Sequence, residues 1–179
     1  MKLLLKRLTM ISLFLMIVSM ILYNKLNIGL FFSLAITFGT TFYHFAMRLT
    51  VGGMVDYIMK NQADYHKKWY QPLPFEKSLY KKLKVKRWKR KMPTYDPIQF
   101  SVEKNSYDAI AQAMWQAEIV HEVIIIFSFL PVLASYWFGS FAVFMITSIG
   151  AAAFDLMFVM IQRYNRPRIV KLAEREKIV

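Results

Sequence analysis

Residues 117–161, AEIVHEVIIIFSFLPVLASYWFGSFAVFMITSIGAAAFDLMFVMI, decide the fold class. They hold two apolar runs, 117–138 and 140–161, which meet at Gly139. Each reaches the roughly 20 residues that an α-helix needs to cross the hydrocarbon of a bilayer. Residues 28–47 form a third run of that length, and 8–23 a slightly short fourth that borrows Asn24 to Leu26. The basic front of the first run (Lys2, Lys6, Arg7) also fits a signal peptide. No small-x-small cleavage site follows it, so it reads as a retained span. The expected architecture is an all-α, polytopic membrane protein with four transmembrane helices. Pro131 is expected to kink the third span, and Gly150-Ala151-Ala152-Ala153 to thin the fourth for close helix approach.

The remaining composition agrees with this. The 179 residues are 56% hydrophobic yet carry a formal net charge of +13. Oil and charge coexist because they are segregated. Of the 24 Lys and Arg, three stand before the first span, fourteen lie between Arg48 and Lys104, and six follow from Arg163 onward. Only Lys25 lies in the first inter-span turn, and residues 136–140 carry none. The positive-inside bias then puts both termini and the middle segment in the cytoplasm of a multi-pass cell-membrane protein. The chain divides into residues 1–48 (spans one and two), 49–116 (a basic, amphipathic cytoplasmic or interfacial segment), 117–162 (spans three and four) and 163–179 (a basic tail). Apolar dominance excludes a disordered chain. The absence of Cys excludes a disulfide scaffold, Cys-ligated zinc and a Cys nucleophile.

In the middle segment, Gly52-Gly53 loosens the exit from the second span, and Pro72 and Pro74 mark a loop. His66, in the polar 61–71 stretch, carries no reading of its own. The run 77–91, KSLYKKLKVKRWKRK, has apolar members whose period fits helix and strand alike. Its cations suit adhesion to anionic lipid, at about 1 kcal/mol each near the surface. They equally suit a cradle for a phosphorylated ligand such as an acyl-CoA or a lipid phosphate. No nucleic-acid motif is present, and nucleic acid is not an expected partner. From 102 to 116, Tyr107, Ile110, Ala111 and Met114 recur at helical spacing, which predicts an amphipathic helix on the interface.

Ionisable groups inside spans cost about 2.5–3.5 kcal/mol each on insertion scales and so invite functional readings. The second span carries a polar stripe: Ser33, Thr37, Thr40 or Thr41, His44 and Arg48. The third opens with Glu118, His121 and Glu122 on one face. The fourth carries Asp155 with Gln162 two turns on, then Arg163, Tyr164, Asn165, Arg166 and Arg168. Arg48, Arg163, Arg166 and Arg168 thus face Glu118, Glu122 and Asp155 at similar depth. His121 is a candidate general base, with Glu118 or Asp155 orienting its imidazole. Arg163, Asn165, Arg166 and Arg168 are candidates for phosphate or oxyanion contact. Lys84, Lys86, Arg87, Trp88 and Lys89 are candidates for steering a donor, and His44, Arg48, Glu122 and Tyr164 for further substrate contact. Glu118-x-x-His121 lacks the second Glu-x-x-His pair of di-iron bundles, so no metal is expected. There is no nucleophile elbow, P-loop or dinucleotide glycine motif, so direct acid–base transfer is expected and no cofactor.

Three segments together carry a resemblance: Lys84-Val85-Lys86-Arg87-Trp88-Lys89 leading to Pro93, Ala117-Glu118-Ile119-Val120-His121, and Gln162-Arg163-Tyr164-Asn165-Arg166-Pro167-Arg168. Over roughly residues 70–170 the chain resembles the small integral-membrane glycosyl-4,4′-diaponeurosporenoate acyltransferases, which acylate a sugar hydroxyl of a glycosylated C30 carotenoid. The resemblance implies an acyltransferase with an acyl-CoA-like donor as co-substrate and a membrane-embedded glycolipid acceptor. Rival readings are a non-catalytic membrane subunit or lipid-binding protein docking through its basic loop, and a transport component relaying through Asp155. Membrane lipids are expected partners, with a homo-oligomer or other membrane proteins further candidates.

Overall fold

The computed structural model describes residues 2–62, 64 and 67–178; His66 lies outside them. The described residues form helices and turns, with no strand among them. The helices are α1 (Lys2–Leu26), α2 (Gly29–Met59), α3 (Glu76–Lys82), α4 (Val85–Trp88), α5 (Tyr107–Phe127), α6 (Leu130–Phe138) and α7 (Phe141–Glu176). Among the described residues, four stretches are long and apolar enough to cross a membrane: α1, α2, the α5–α6 pair over Tyr107–Phe138, and α7. The four-span, all-α architecture expected from the apolar runs is the one observed.

The helices outrun those runs at one end of the bundle. α2 continues past Met47 to Met59, α5 begins at Tyr107, and α7 continues to Glu176. These extensions add roughly 15–22 Å of helix at about 1.5 Å per residue. Ser106 sets the start of α5: its hydroxyl accepts the Ala109 N–H at 3.2 Å. Ile110, Ala111 and Met114 are buried, so the apolar face of this amphipathic stretch packs into the bundle. The ambiguous basic run resolves as helix. α3 and α4 are separated by Lys84 in the left-handed conformation, φ 52°.

α1 packs on α2, α5 on α7, α2 on α5, and α6 on α7. Burial in α1 is inverted relative to a water-soluble helix. Thr9, Ser12 and Ser19 are its buried residues, and their hydroxyls donate to the Leu5, Leu8 and Leu15 carbonyls. Met10, Ile11, Phe14 and Met20 are exposed instead. Lipid favours this arrangement, because it attracts the apolar face and leaves small polar residues to the helix seam. Tyr136 and Trp137, 87% and 72% exposed at the end of α6, have the amphipathic character of an interfacial aromatic belt.

The expected kink lies at Ser128–Phe129, just before Pro131. Pro131 has no N–H to return to the Phe127 carbonyl. The Tyr43 hydroxyl on α2 donates to that oxygen instead, at 2.7 Å. Tyr43→Phe should therefore destabilise the bundle by about 1 kcal/mol, read as a lower melting temperature by circular dichroism in detergent. The α6–α7 turn needs Gly139, whose φ is +67°. The small-residue stretch does less than expected for packing. Ala152 is buried, but nothing lies within 4 Å of a Cβ built at Gly150, and Ala151 faces a cavity.

Candidate active site

The cavity, about 980 Å³, lies between the α1–α2 hairpin and the α5–α7 pair. Within it, α5 brings His121, α7 brings Asp155 and Gln162, and α2 brings His44, Arg48 and Asp56. Residues 92–96 and Lys89 cover one side, and Lys2 and Lys6 reach it from the start of α1. Phe45, Ile124, Phe154 and Phe158 supply apolar wall. Folding α1 back along α2 brings the two early lysines level with the last turns of α2.

Asp155 is the hub. It is 1% exposed and on α7 faces both neighbouring helices. Its Oδ1 lies 2.8 Å from His121 Nδ1, and its Oδ2 accepts a hydrogen bond from Arg48 Nη2. Arg48 also donates to the His44 carbonyl at 3.0 Å and the Ala151 carbonyl at 3.4 Å. The His121 ring lies flat on Phe158, with centroids 4.6 Å apart and planes 7° apart. Phe158 is one turn from Asp155, so α7 grips the imidazole by face and by nitrogen. An Nδ1 committed to a carboxylate leaves Nε2 for a ligand. Of the two carboxylates expected to orient His121, geometry selects Asp155.

Glu118 belongs to a second cluster. It is 0% exposed, accepts from Arg163 Nη1 at 2.7 Å, and pairs with Arg166 Nη1. Arg163 also donates to Glu76 from Nε at 2.8 Å and Nη2 at 2.6 Å. Arg166 donates to the Tyr70 carbonyl. These bonds clasp α5 and α7 to α3 and the loop before it. Burial, reinforced by Glu76, pushes the Tyr80 hydroxyl on α3 up to about 12.

The site residues expected from sequence therefore divide. His44, Arg48, Lys89, His121 and Asp155 share the cavity. Arg163 and Arg166, expected to hold phosphate, have donors engaged by Glu76, Glu118 and the Gln71 and Tyr70 carbonyls, and do not line it. Asn165 accepts from Lys89 Nζ, and Tyr164 lies beneath the cations of Lys89 and Arg168 at 4.6 and 5.2 Å. Asn165 and Tyr164 thus support Lys89 from behind. Lys84, Lys86 and Arg87 are exposed outside the cavity. Trp88 donates to the Leu83 carbonyl at 3.0 Å, and Glu122 is not among the residues lining the cavity. Burial and then the cations Arg168, Arg90 and Lys86 hold the Lys89 ammonium below the usual lysine range.

Sequence reasoning missed Lys2, Lys6, Asp56 and Gln116. Gln116 Nε2 donates to Asp56 Oδ1 at 3.1 Å, and Gln116 Oε1 accepts from the Asn61 N–H at 2.8 Å, bridging α5 to α2. Gln116 stands about 180° around α5 from the Tyr107–Met114 stripe, so helical periodicity carried no signal for it.

A family model described as glycosyl-4,4′-diaponeurosporenoate acyltransferase matches residues 66–175. The matched stretch contains His121, Asp155 and Lys89, while His44 and Arg48 precede it. No curated protein and no solved structure matches the chain. The match spans more than half of the chain, which belongs to this family of acyltransferases of carotenoid biosynthesis.

Proposed function

We propose that this family member moves an acyl group from a cytoplasmic thioester, of the acyl-CoA kind, to a hydroxyl of a membrane-borne glycolipid in the cavity described above. The His121–Asp155–Arg48 chain on the cavity wall carries the reading. The acceptor oxygen attacks the thioester carbon while His121 Nε2 takes the hydroxyl proton. The C–S bond then breaks, the thiolate leaves with the electron pair, and Nε2–H returns the proton to sulfur. Asp155 fixes the tautomer and faces the imidazolium as it forms, and Arg48 holds Asp155 in place.

The surroundings support each substrate. Lys2, Lys6 and Lys89 suit the phosphates of a donor at the cavity edge. Phe45, Phe154 and Phe158 suit an acyl chain. An acceptor from the bilayer has short access, since the walls are themselves spanning helices. The helix extensions and the basic segment share one end of the bundle, which supports a cytoplasmic opening and cytoplasmic termini.

The test is reconstitution. Purified chain in lipid nanodiscs, given radiolabelled palmitoyl-CoA and glycosyl-4,4′-diaponeurosporenoate, should yield labelled acylated glycolipid. Label that stays wholly on the thioester would overturn the reading. Lys89→Gln should raise KM for the donor about 10-fold with kcat little changed, as expected when a hydrogen bond to a charged group is lost. Added salt should depress the wild type more than the variant.

A further inference from the structure

Among the described residues, His44 is the cavity-wall histidine that the proton-transfer chemistry leaves idle, and its surroundings are unusual. It is 8% exposed, yet neither ring nitrogen has a hydrogen-bond partner among the described residues. Its backbone carbonyl is occupied by Arg48, and its ring meets that of Tyr43 edge-on at 5.5 Å. A buried imidazole with both nitrogens unbonded lowers the stability of the ligand-free protein. A ligand atom reaching the ring supplies the missing bond. His44 lines the same cavity as His121 and Asp155. Arg48, one turn further along α2, donates both to the His44 carbonyl and to Asp155, which sets the His44 turn of α2 beside the Asp155 turn of α7.

We infer that His44 is a second catalytic residue, whose ring N–H donates to the thioester carbonyl oxygen and holds the negative charge that develops there as the acceptor adds. A neutral imidazole has one N–H and one acceptor nitrogen, so it can stabilise an oxyanion without transferring a proton. The role complements His121: one ring receives the hydroxyl proton, the other faces the opposite partner of the forming bond. The inference rests on the acyl-transfer reading and extends beyond the stretch shared with the family, because His44 precedes residue 66.

The experiment uses His44→Leu and His44→Gln in the nanodisc assay, with palmitoyl-CoA and the same glycolipid, alongside circular-dichroism melts. Leu removes the donor and relieves the unpartnered polar group; Gln restores a side-chain N–H. Loss of one oxyanion donor costs about 10²–10³-fold in kcat. His44→Leu should lose about 100-fold in kcat with little change in KM and a melting temperature equal to or above the wild type. His44→Gln should recover at least tenfold of that loss. Turnover of His44→Leu within threefold of the wild type would overturn the inference. So would a Leu variant that loses stability and turnover together with no recovery in Gln. His121→Ala separates the two ideas. If it keeps full turnover while His44→Leu loses it, the base assignment falls and the oxyanion assignment stands. The opposite pattern removes His44 alone.

Discussion

His121→Ala is expected to lower kcat by about 10³-fold, within the range supplied by a positioned general base, while the protein folds and binds donor as before. The geometry separates chemistry from folding at this position. Removing the imidazole takes one hydrogen bond from Asp155 Oδ1, but Oδ2 keeps Arg48, so no buried charge loses its counter-ion. Asp155→Asn would be a poorer probe, since it strips Arg48 of its carboxylate. Free imidazole added to the Ala variant should restore part of the turnover, because the vacated space lies against Phe158 and opens on the cavity. A variant that turns over normally would sink the base assignment, and rescue by imidazole separates proton transfer from a packing defect.

Glu118→Ala is expected to have the largest effect on stability, about 3–5 kcal/mol, or on the order of 10 °C in melting temperature. Glu118 receives Arg163 and Arg166 together at a fully buried position. Arg163 would keep Glu76, but Arg166 would keep the Tyr70 carbonyl and ring and no carboxylate among the described residues. A guanidinium without its carboxylate in a dry site accounts for most of the loss. Glu76→Ala should cost less, because Arg163 would retain Glu118. Replacing Glu118 and Arg166 together by Met should recover much of the stability, since apolar side chains of similar volume often substitute for buried ion pairs. Circular-dichroism melts of the three variants test this ordering. A double variant no more stable than Glu118→Ala would refute the ion-pair account.

The spans were legible because about 20 consecutive apolar residues leave few alternatives, and the break before Pro131 because proline removes a specific bond. The groups of the site were legible too: Arg48, Glu118, His121, Asp155 and Arg163 stood out as costly charges at one depth. Their pairing was not. Glu118 lies one turn from His121 on the same helix, and helical spacing favours it as the orienting partner. The observed partner, Asp155, is supplied by the packing of α7 on α5. Arg163 and Arg166 looked available for phosphate because Glu76 opens α3 in the basic segment, 87 residues from Arg163. Lys2 and Lys6 looked like a simple topogenic arm, and only the return of α1 along α2 brings them to the cavity.

The single helix α7 carries Asp155 for the site and Arg163 and Arg166 for the clasp, and this makes their separation a matter of phase. Each residue turns an α-helix by about 100°. Inserting or deleting one residue between Phe158 and Arg163 would leave both groups intact in composition yet aim one of them about 100° away from its partners. Adding a full turn of four residues would restore the aim to within about 40° but move one group about 6 Å along the axis. α7 thus works as a screw thread whose pitch indexes the cavity to the clasp. Substitutions along its lipid-facing side leave that index untouched, and changes of length do not.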